Sequence, residues 1–122
     1  MRLVVLFMLM TLLLPGGARA GEVNIVDAEA RVSSDGRYSF AVTLRHADNG
    51  WDHYADRWDV LGPDGGVLGS RVLMHPHVAE QPFTRSLSGI EIPGQLKAVF
   101  IRAHDKQHGD TKKQFKVLLP GR

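Results

Sequence analysis

The chain has 122 residues, of which 43% are hydrophobic and 23% are charged, and it contains no cysteine. This length suits a single domain, and the composition excludes both intrinsic disorder and a small fold held together by disulfides. The formal net charge of +2 disappears beyond residue 20, because Arg2 and Arg19 precede that point and the rest of the chain has thirteen basic and thirteen acidic residues. The charge therefore gives no support for a nucleic-acid partner or for an anionic membrane surface.

A secretory signal peptide is predicted over residues 1–20. A short basic start precedes the apolar run Leu3–Leu14, and the segment ends in Ala18-Arg19-Ala20. These are the three parts of a cleavable leader, and the apolar run is shorter than the ~20 residues that span a bilayer. We expect cleavage before Gly21, which leaves Gly21–Arg122 as one secreted domain, in the periplasm of a bacterium. Because the chain has no cysteine, no lipid anchor is expected after cleavage.

From Glu22 onward, apolar residues recur at every second position, which is the period of β-strands. In the first strand this alternation places Val26, Ala28, Ala30 and Val32 on one apolar face. No ten-residue segment has a helical apolar stripe. Seven short strands in about 100 residues predict an all-β fold, a two-sheet antiparallel sandwich. In chain order they are centred on Val26–Val32, Tyr38–Leu44, Trp58–Val60, Val67–Met74, Phe83–Leu87, Leu96–Ala103 and Phe115–Leu119.

One stretch resembles the fibronectin type III pattern. Leu87-Ser88-Gly89-Ile90 leads through Pro93-Gly94 to a strand with Val99, Ile101 and Ala103 on one face. Trp58 occupies the position of the core tryptophan of immunoglobulin-like sandwiches, whereas Lys97 stands where that family usually has a corner tyrosine. The resemblance implies a fold and carries no activity.

Three other segments resemble small secreted bacterial proteins of unassigned function. They are Gly50-Trp51-Asp52-His53-Tyr54-Ala55-Asp56, the stretch from His75-Pro76-His77-Val78 to Glu80-Gln81-Pro82-Phe83-Thr84-Arg85, and Ala103-His104-Asp105. This resemblance implies no particular activity.

All six histidines are predicted to lie at one end of the sandwich. Consecutive antiparallel strands run up and down, so alternate connections emerge at the same end. The first, third and fifth connections contain no histidine. The second, fourth and sixth contain, in order, His46 and His53, His75 and His77, and His104 and His108, with several carboxylates beside them.

This clustering suggests a transition-metal site, with Cu(II) first and Zn(II) second. Imidazole nitrogens without a thiolate suit these ions, and carboxylates can complete the site. An extended His75-Pro76-His77 directs both rings to one side, so these two histidines are the preferred ligands. His46 continues the inner face of the second strand, and His104, with His108 in the following loop, comes after the inner face of the sixth.

Three other interpretations of this end remain open. His46 and His104 could each be structural, bonded to a carbonyl or to Asp48 or Asp105. The loops could instead bind a protein or glycan without metal, through Trp51, Tyr54, Glu80 and Arg85. The six histidines could also form a pH-responsive surface.

The sequence gives little support for an enzyme. No serine has the context of a nucleophile elbow, and no glycine-rich loop leads into a helix that could hold a phosphate. A carrier, buffer or accessory module is therefore expected rather than a catalyst.

Overall fold

The computed structural model describes residues 21–122, and this part of the chain is built from strands and loops without a helix. It therefore contains no helix long and apolar enough to cross a membrane. The strands are β1 (Asn24–Val32), β2 (Tyr38–Arg45), β3 (Ala55–Leu61), β4 (Val67–Val72), β5 (Phe83–Ile90), β6 (Ala98–Asp105), β7 (Gly109–Asp110) and β8 (Phe115–Leu118).

The strands form two antiparallel sheets, which confirms the predicted fold class. One sheet has the order β1-β2-β5 and the other the order β4-β3-β6-β7, with β8 also paired to β6. The seven predicted strands correspond to β1–β6 and β8. The two-residue strand β7 is additional, and it pairs with the last two residues of β6, His104 and Asp105.

The core lies between the two sheets and follows the alternation in the sequence. In β2 and β6 every second side chain is buried, and Trp58 on β3 is fully buried, as predicted. Burying these side chains supplies the main stabilising free energy, roughly 25 cal/mol for each Å² of apolar surface. The inner residues of these strands are Tyr38, Phe40, Val42, Leu44, Trp58, Val60, Val99, Ile101 and Ala103.

The first strand departs from its predicted pattern. The pairing of β1 with β2 shifts register between Ile25 and Asp27, and a shift of this kind moves the following side chains to the opposite faces. Ile25 and Ala28 are consequently half-buried, whereas Val26 is 40% exposed. Val32, the residue before the turn that joins β1 to β2, is 46% exposed. The prediction that Val26 shares the apolar face of Ala28 and Ala30 was therefore wrong.

Candidate metal centre

Two connections and the end of one strand meet at one end of the sandwich and bring four potential metal ligands together. They are the β2–β3 connection, the end of β6 and the β6–β7 connection. One nitrogen or oxygen atom from each of four side chains lies within 4.8 Å of all the others, and these side chains are His46, His53, Asp105 and His108.

Asp105 is fully buried and is the acidic member of the cluster. It continues the inner face of β6, two residues beyond Ala103. Its Oδ1 accepts hydrogen bonds from the backbone N–H groups of Gln107 (2.9 Å) and His108 (2.7 Å). Its Oδ2 has no partner within the described residues and lies 3.9 Å from His46 Nε2. One oxygen thus holds the loop, while the other is free to bind an ion.

Asp105 is ionised despite its burial. Burial alone raises the pKa of this carboxyl, but the N–H donors of His108 and Gln107, together with the His108 ring, outweigh that effect, so its pKa lies below the usual value. A buried carboxylate of this kind is a hard anionic ligand that does not have to lose a proton before it binds a cation.

His46 is oriented by Asp48. The His46 ring is buried, and its Nδ1 lies 2.5 Å from Asp48 Oδ1. Asp48 also accepts the backbone N–H groups of Ala55 (2.9 Å, Oδ1) and His77 (2.7 Å, Oδ2), so its own position is fixed. Because a carboxylate only accepts, Nδ1 of His46 carries a proton. The other ring nitrogen, Nε2, lies 2.8 Å from the Gly21 carbonyl oxygen and is the atom that could bind a metal. Metal-bound histidines generally donate their other ring N–H to an acceptor, which can be a carboxylate.

His53 and His108 complete the cluster from two different loops. The His53 ring meets the His46 ring edge-on at 4.7 Å and lies 5.0 Å from the His108 ring. His53 Nε2 is buried without a hydrogen-bond partner among the described residues and lies 3.4 Å from Asp105 Oδ1. The His108 ring is the most exposed of the four side chains, at 29%, so the cluster opens to solvent on its side.

The charges at this end are not balanced by basic side chains. A buried carboxylate is usually paired with a basic side chain, as Asp59 on the outer face of β3 is with Arg57 and Arg102. In residues 21–122, by contrast, Asp48 and Asp105 have only histidines within 4.0 Å as potential cationic partners. Buried charges require a counter-charge or a metal ion. With neutral imidazoles, a divalent cation would balance the two carboxylates.

His77 was a preferred ligand, but the structure places it outside the cluster. Its ring stacks on Phe83 at 3.9 Å, and its Nε2 accepts a hydrogen bond from Arg85 (2.9 Å). That guanidinium occupies the lone pair that would bind a metal, and its charge repels cations. Burial, Arg85 and His75 together lower the pKa of His77, although Asp48 and Glu80 oppose them.

His75 and His104 also lie apart from the four-residue cluster. His75 is exposed, with its ring 4.5 Å from that of His77. His104 lies on the outer face of β6, because its neighbour Asp105 takes the inward position, and its Nδ1 is 2.5 Å from Asp56 Oδ1. The predicted six-histidine end therefore divides into a centre with three histidines, of which His46 and His53 are buried, and three other histidines around it.

The residues proposed for partner binding have mixed environments. Trp51 is 66% exposed, and its ring meets that of the buried Tyr54 edge-on at 5.7 Å. Glu80 is exposed. Arg85 is engaged with His77 and lies over the Phe83 ring, 5.6 Å from its centroid.

Asp105 was not among the predicted ligands, and Asp48 was considered only as a structural partner. The signal for Asp105 is present in the sequence, because the alternation Val99, Ile101, Ala103 continues to position 105 rather than to His104. The role of Asp48 has no comparable local signal, since it depends on contacts with Ala55 and His77.

Comparisons with known proteins identify a relative but no family. No family model matches the chain, and no solved structure is significantly similar to it. A protein of Halomicrobium mukohataei named "Putative lipoprotein" is 43% identical to the chain over 88 residues. The alignment covers 72% of this chain but 43% of that protein, so the chain spans less than half of its relative's length.

Proposed function

We propose that this protein binds one divalent transition-metal ion, copper first and zinc second, through His46, His53, Asp105 and His108. The observation that carries the proposal is a pair of ligand atoms in this cluster, His53 Nε2 and Asp105 Oδ2, which are buried and have no hydrogen-bond partner within residues 21–122. Unsatisfied buried polar atoms are costly and require an explanation. An ion bound by both atoms would supply it.

Three imidazole nitrogens and one carboxylate oxygen define the choice of metal. Imidazole suits zinc, copper, iron and nickel, and for a given nitrogen and oxygen site Cu(II) binds most tightly of the divalent first-row ions. The chain has no cysteine, so thiolate ligation is absent. Copper is therefore the first candidate and zinc the second.

The number of ligands favours holding an ion over catalysis. For zinc, four protein ligands would fill a tetrahedral site, whereas catalytic zinc sites keep one position open for water or substrate. The His46 and Asp105 side chains are fully buried, which leaves little room for a substrate. We infer that the protein is a metal carrier or buffer rather than an enzyme. The predicted leader and the name of the relative both favour a place outside the cytoplasm.

A competition titration tests this proposal. Metal-stripped Gly21–Arg122 is titrated with Cu(II) and with Zn(II) against a chelator of known affinity, and one-to-one binding with a submicromolar Kd is expected. In Asp105→Asn the remaining side-chain oxygen still accepts the two loop N–H groups, while the anionic ligand is lost. We expect its affinity to fall more than about 100-fold, beyond the effect of losing a supporting residue.

His75→Ala is the matched control, because this exposed histidine lies at the same end but outside the cluster. Its affinity should equal that of the parent. Weak binding of several ions to the parent would contradict the proposed site. If the double variant His75→Ala, His77→Ala lost metal binding while Asp105→Asn bound metal like the parent, His75 and His77 would be the metal ligands instead.

One observation favours a second candidate function, recognition of a partner protein by the same loops. The Trp51 side chain is 66% exposed, and exposed aromatic residues often anchor protein interfaces. For this function, Trp51→Ala should weaken capture of a partner that chelation leaves unaffected. Capture that chelation abolishes would instead tie the surface to the metal.

A further inference from the structure

Gly21, the residue expected to become the mature N-terminus, lies against the candidate metal centre. Its carbonyl oxygen is 2.8 Å from His46 Nε2. A Cβ atom added to it would lie 2.7 Å from His108 Cε1 and 2.9 Å from His108 Nε2, so its Cα packs directly on that ring. A single residue thus touches two of the four candidate ligands, which come from different loops.

The fold holds this residue in place. Glu22 accepts a hydrogen bond from the backbone N–H of Lys112 (2.7 Å). Val23 is 3% exposed and belongs to the hydrophobic core, and β1 begins at Asn24. The position of Gly21 beside the histidines is therefore anchored by the residues that follow it.

The contact between Gly21 and His46 is not satisfied by a neutral imidazole. His46 faces an acceptor on each side, the Asp48 carboxylate at Nδ1 and the Gly21 carbonyl at Nε2. A neutral ring donates only one hydrogen bond, and the carboxylate is the stronger acceptor. A hydrogen bond from Nε2 to the Gly21 oxygen therefore needs a second proton on the ring, and a metal ion bound by Nε2 and this oxygen would take the place of that proton.

The separation of these two atoms suits a shared ion. Two ligand atoms that bind a metal at 2.0–2.1 Å with an angle of 90° lie about 2.9 Å apart. His46 Nε2 and the Gly21 oxygen are 2.8 Å apart. The nitrogen of Gly21 stays within about 3.7 Å of its own carbonyl oxygen in any conformation, given standard bond lengths. It is therefore also within reach of the centre.

We propose that the free α-amino group of Gly21, created when the leader is removed, binds the metal together with the Gly21 carbonyl oxygen. This inference rests on the proposed metal-binding function. Before cleavage the same nitrogen is an amide without a lone pair available to a metal, so full affinity would appear only after export and processing. An added amine nitrogen beside imidazoles and oxygens favours Cu(II), which prefers tetragonal nitrogen and oxygen sites.

The close packing of Gly21 on His108 explains why residue 21 is a glycine. Any larger residue would direct its Cβ into the His108 ring. Because His108 is a candidate ligand, moving its ring would disturb the centre. Gly21→Ala should therefore weaken metal binding even though it retains a free amine.

The test compares Gly21–Arg122 with a free amine, with an Nα-acetyl group and with an Nα-methyl group. Acetylation removes the amine lone pair, whereas methylation keeps it and adds a group of smaller size. We expect acetylation to weaken Cu(II) binding more than about tenfold, the smallest effect typical of a lost supporting interaction. Methylation should leave most of the affinity. The Cu(II) electron paramagnetic resonance spectrum should show one nitrogen fewer in the acetylated protein.

The outcomes separate this inference from the function on which it rests. Equal submicromolar affinity of the free and acetylated proteins, with identical Cu(II) spectra, would overturn the role of the amine and leave the four-residue site intact. Equal weakening by acetyl and methyl groups would also overturn it, since bulk alone would then be responsible. Weak, multi-ion binding by all three proteins would remove both proposals.

Discussion

Asp48 accepts three hydrogen bonds, from the His46 ring and from the backbone N–H groups of Ala55 and His77. In Asp48→Asn, one oxygen becomes an NH₂ group that cannot accept. Either the His46 ring loses the acceptor that fixes its tautomer, or a backbone N–H group, that of Ala55 or His77, loses its hydrogen bond. We expect metal affinity to fall about 10- to 100-fold, as for other partners of metal-bound histidines. The competition titration described for Asp105→Asn measures this loss.

The Cu(II) spectrum distinguishes a role of Asp48 in orienting the His46 ring from a general loss of protein stability. If Asp48 orients the His46 ring, the Cu(II) absorption and paramagnetic resonance spectra of Asp48→Asn should shift. A variant destabilised at the opposite end of the sandwich should bind Cu(II) with the parental spectrum. An Asp48→Asn protein with parental affinity and spectrum would show that His46 needs no carboxylate.

His77 makes stability depend on pH. Its pKa in the folded protein lies below the reference value of 6.5, chiefly because of burial, with contributions from Arg85 and His75. Between the folded pKa and 6.5, the unfolded chain binds more protons, so stability falls as the pH drops through this window. In buffer with a chelator, the urea midpoint should decrease below pH 6.5.

His77→Phe provides the control for that prediction, because a phenyl ring can keep the stacking on Phe83 but does not titrate. The difference between the parent and variant curves isolates the contribution of His77 from those of the other histidines. A difference that stays constant from pH 7.5 to about pH 5 would contradict the assigned direction.

In β5, a glycine produces the irregular pairing with β2. Between Tyr38 and Phe40 the register of the two strands shifts, and Gly89 adopts a φ of +73°. An added Cβ would meet nothing within 4 Å, so the effect of Gly89→Ala is confined to the backbone. We expect a loss of about 1–2 kcal/mol in the free energy of unfolding, the cost of the left-handed region.

Gly94→Ala is matched to this variant, because Gly94 also has open space around it but no positive φ. Urea denaturation should place it within about 0.5 kcal/mol of the parent. Equal effects at the two positions would show that the left-handed conformation is not required. Gly89→Ala also serves as the destabilised protein with an intact metal centre.

For individual strands, the side chains that face the core were predictable where apolar and polar residues alternate strictly, and were not predictable where the pairing is irregular. In β6 the period of two places Val99, Ile101 and Ala103 in the core and identifies position 105 as inward-facing. In β1 the same rule fails at Val26, where the register with β2 shifts. This shift depends on the pairing with β2, and no local sequence signal predicts it. Register is a property of two strands, whereas periodicity belongs to one.

At the scale of the molecule, the alternation of strand direction predicted that the histidine-bearing connections meet at one end. The contact of His46 with Asp105 and that of Asp48 with His77 confirm that three connections converge. Which histidines would form a buried cluster was not predictable. That depends on Arg85, which reaches His77 from β5, and such long-range pairings leave no spacing pattern in the sequence.

The hydrophobic core is built without the candidate metal centre, and this predicts how the whole domain responds to an ion. Its buried cluster of sixteen apolar residues draws on both sheets and includes none of the four candidate ligands. We therefore expect metal-stripped Gly21–Arg122 to keep its far-ultraviolet β-sheet spectrum. An ion that binds only the folded state then adds about 2.7 kcal/mol of stability at a free concentration of 100 times the Kd.

For a domain of about 100 residues, each kcal/mol shifts the Tm by roughly 4–8 °C. The expected rise in Tm is therefore about 10–20 °C, measured by calorimetry with and without Cu(II). Asp105→Asn, compared at the same Cu(II) concentration, should rise by far less because its site lacks the buried anion. An unchanged Tm in the parent under saturating Cu(II) would contradict binding to the folded state. A metal-stripped protein without β-sheet signal would make the ion a structural element, because only then would folding require it.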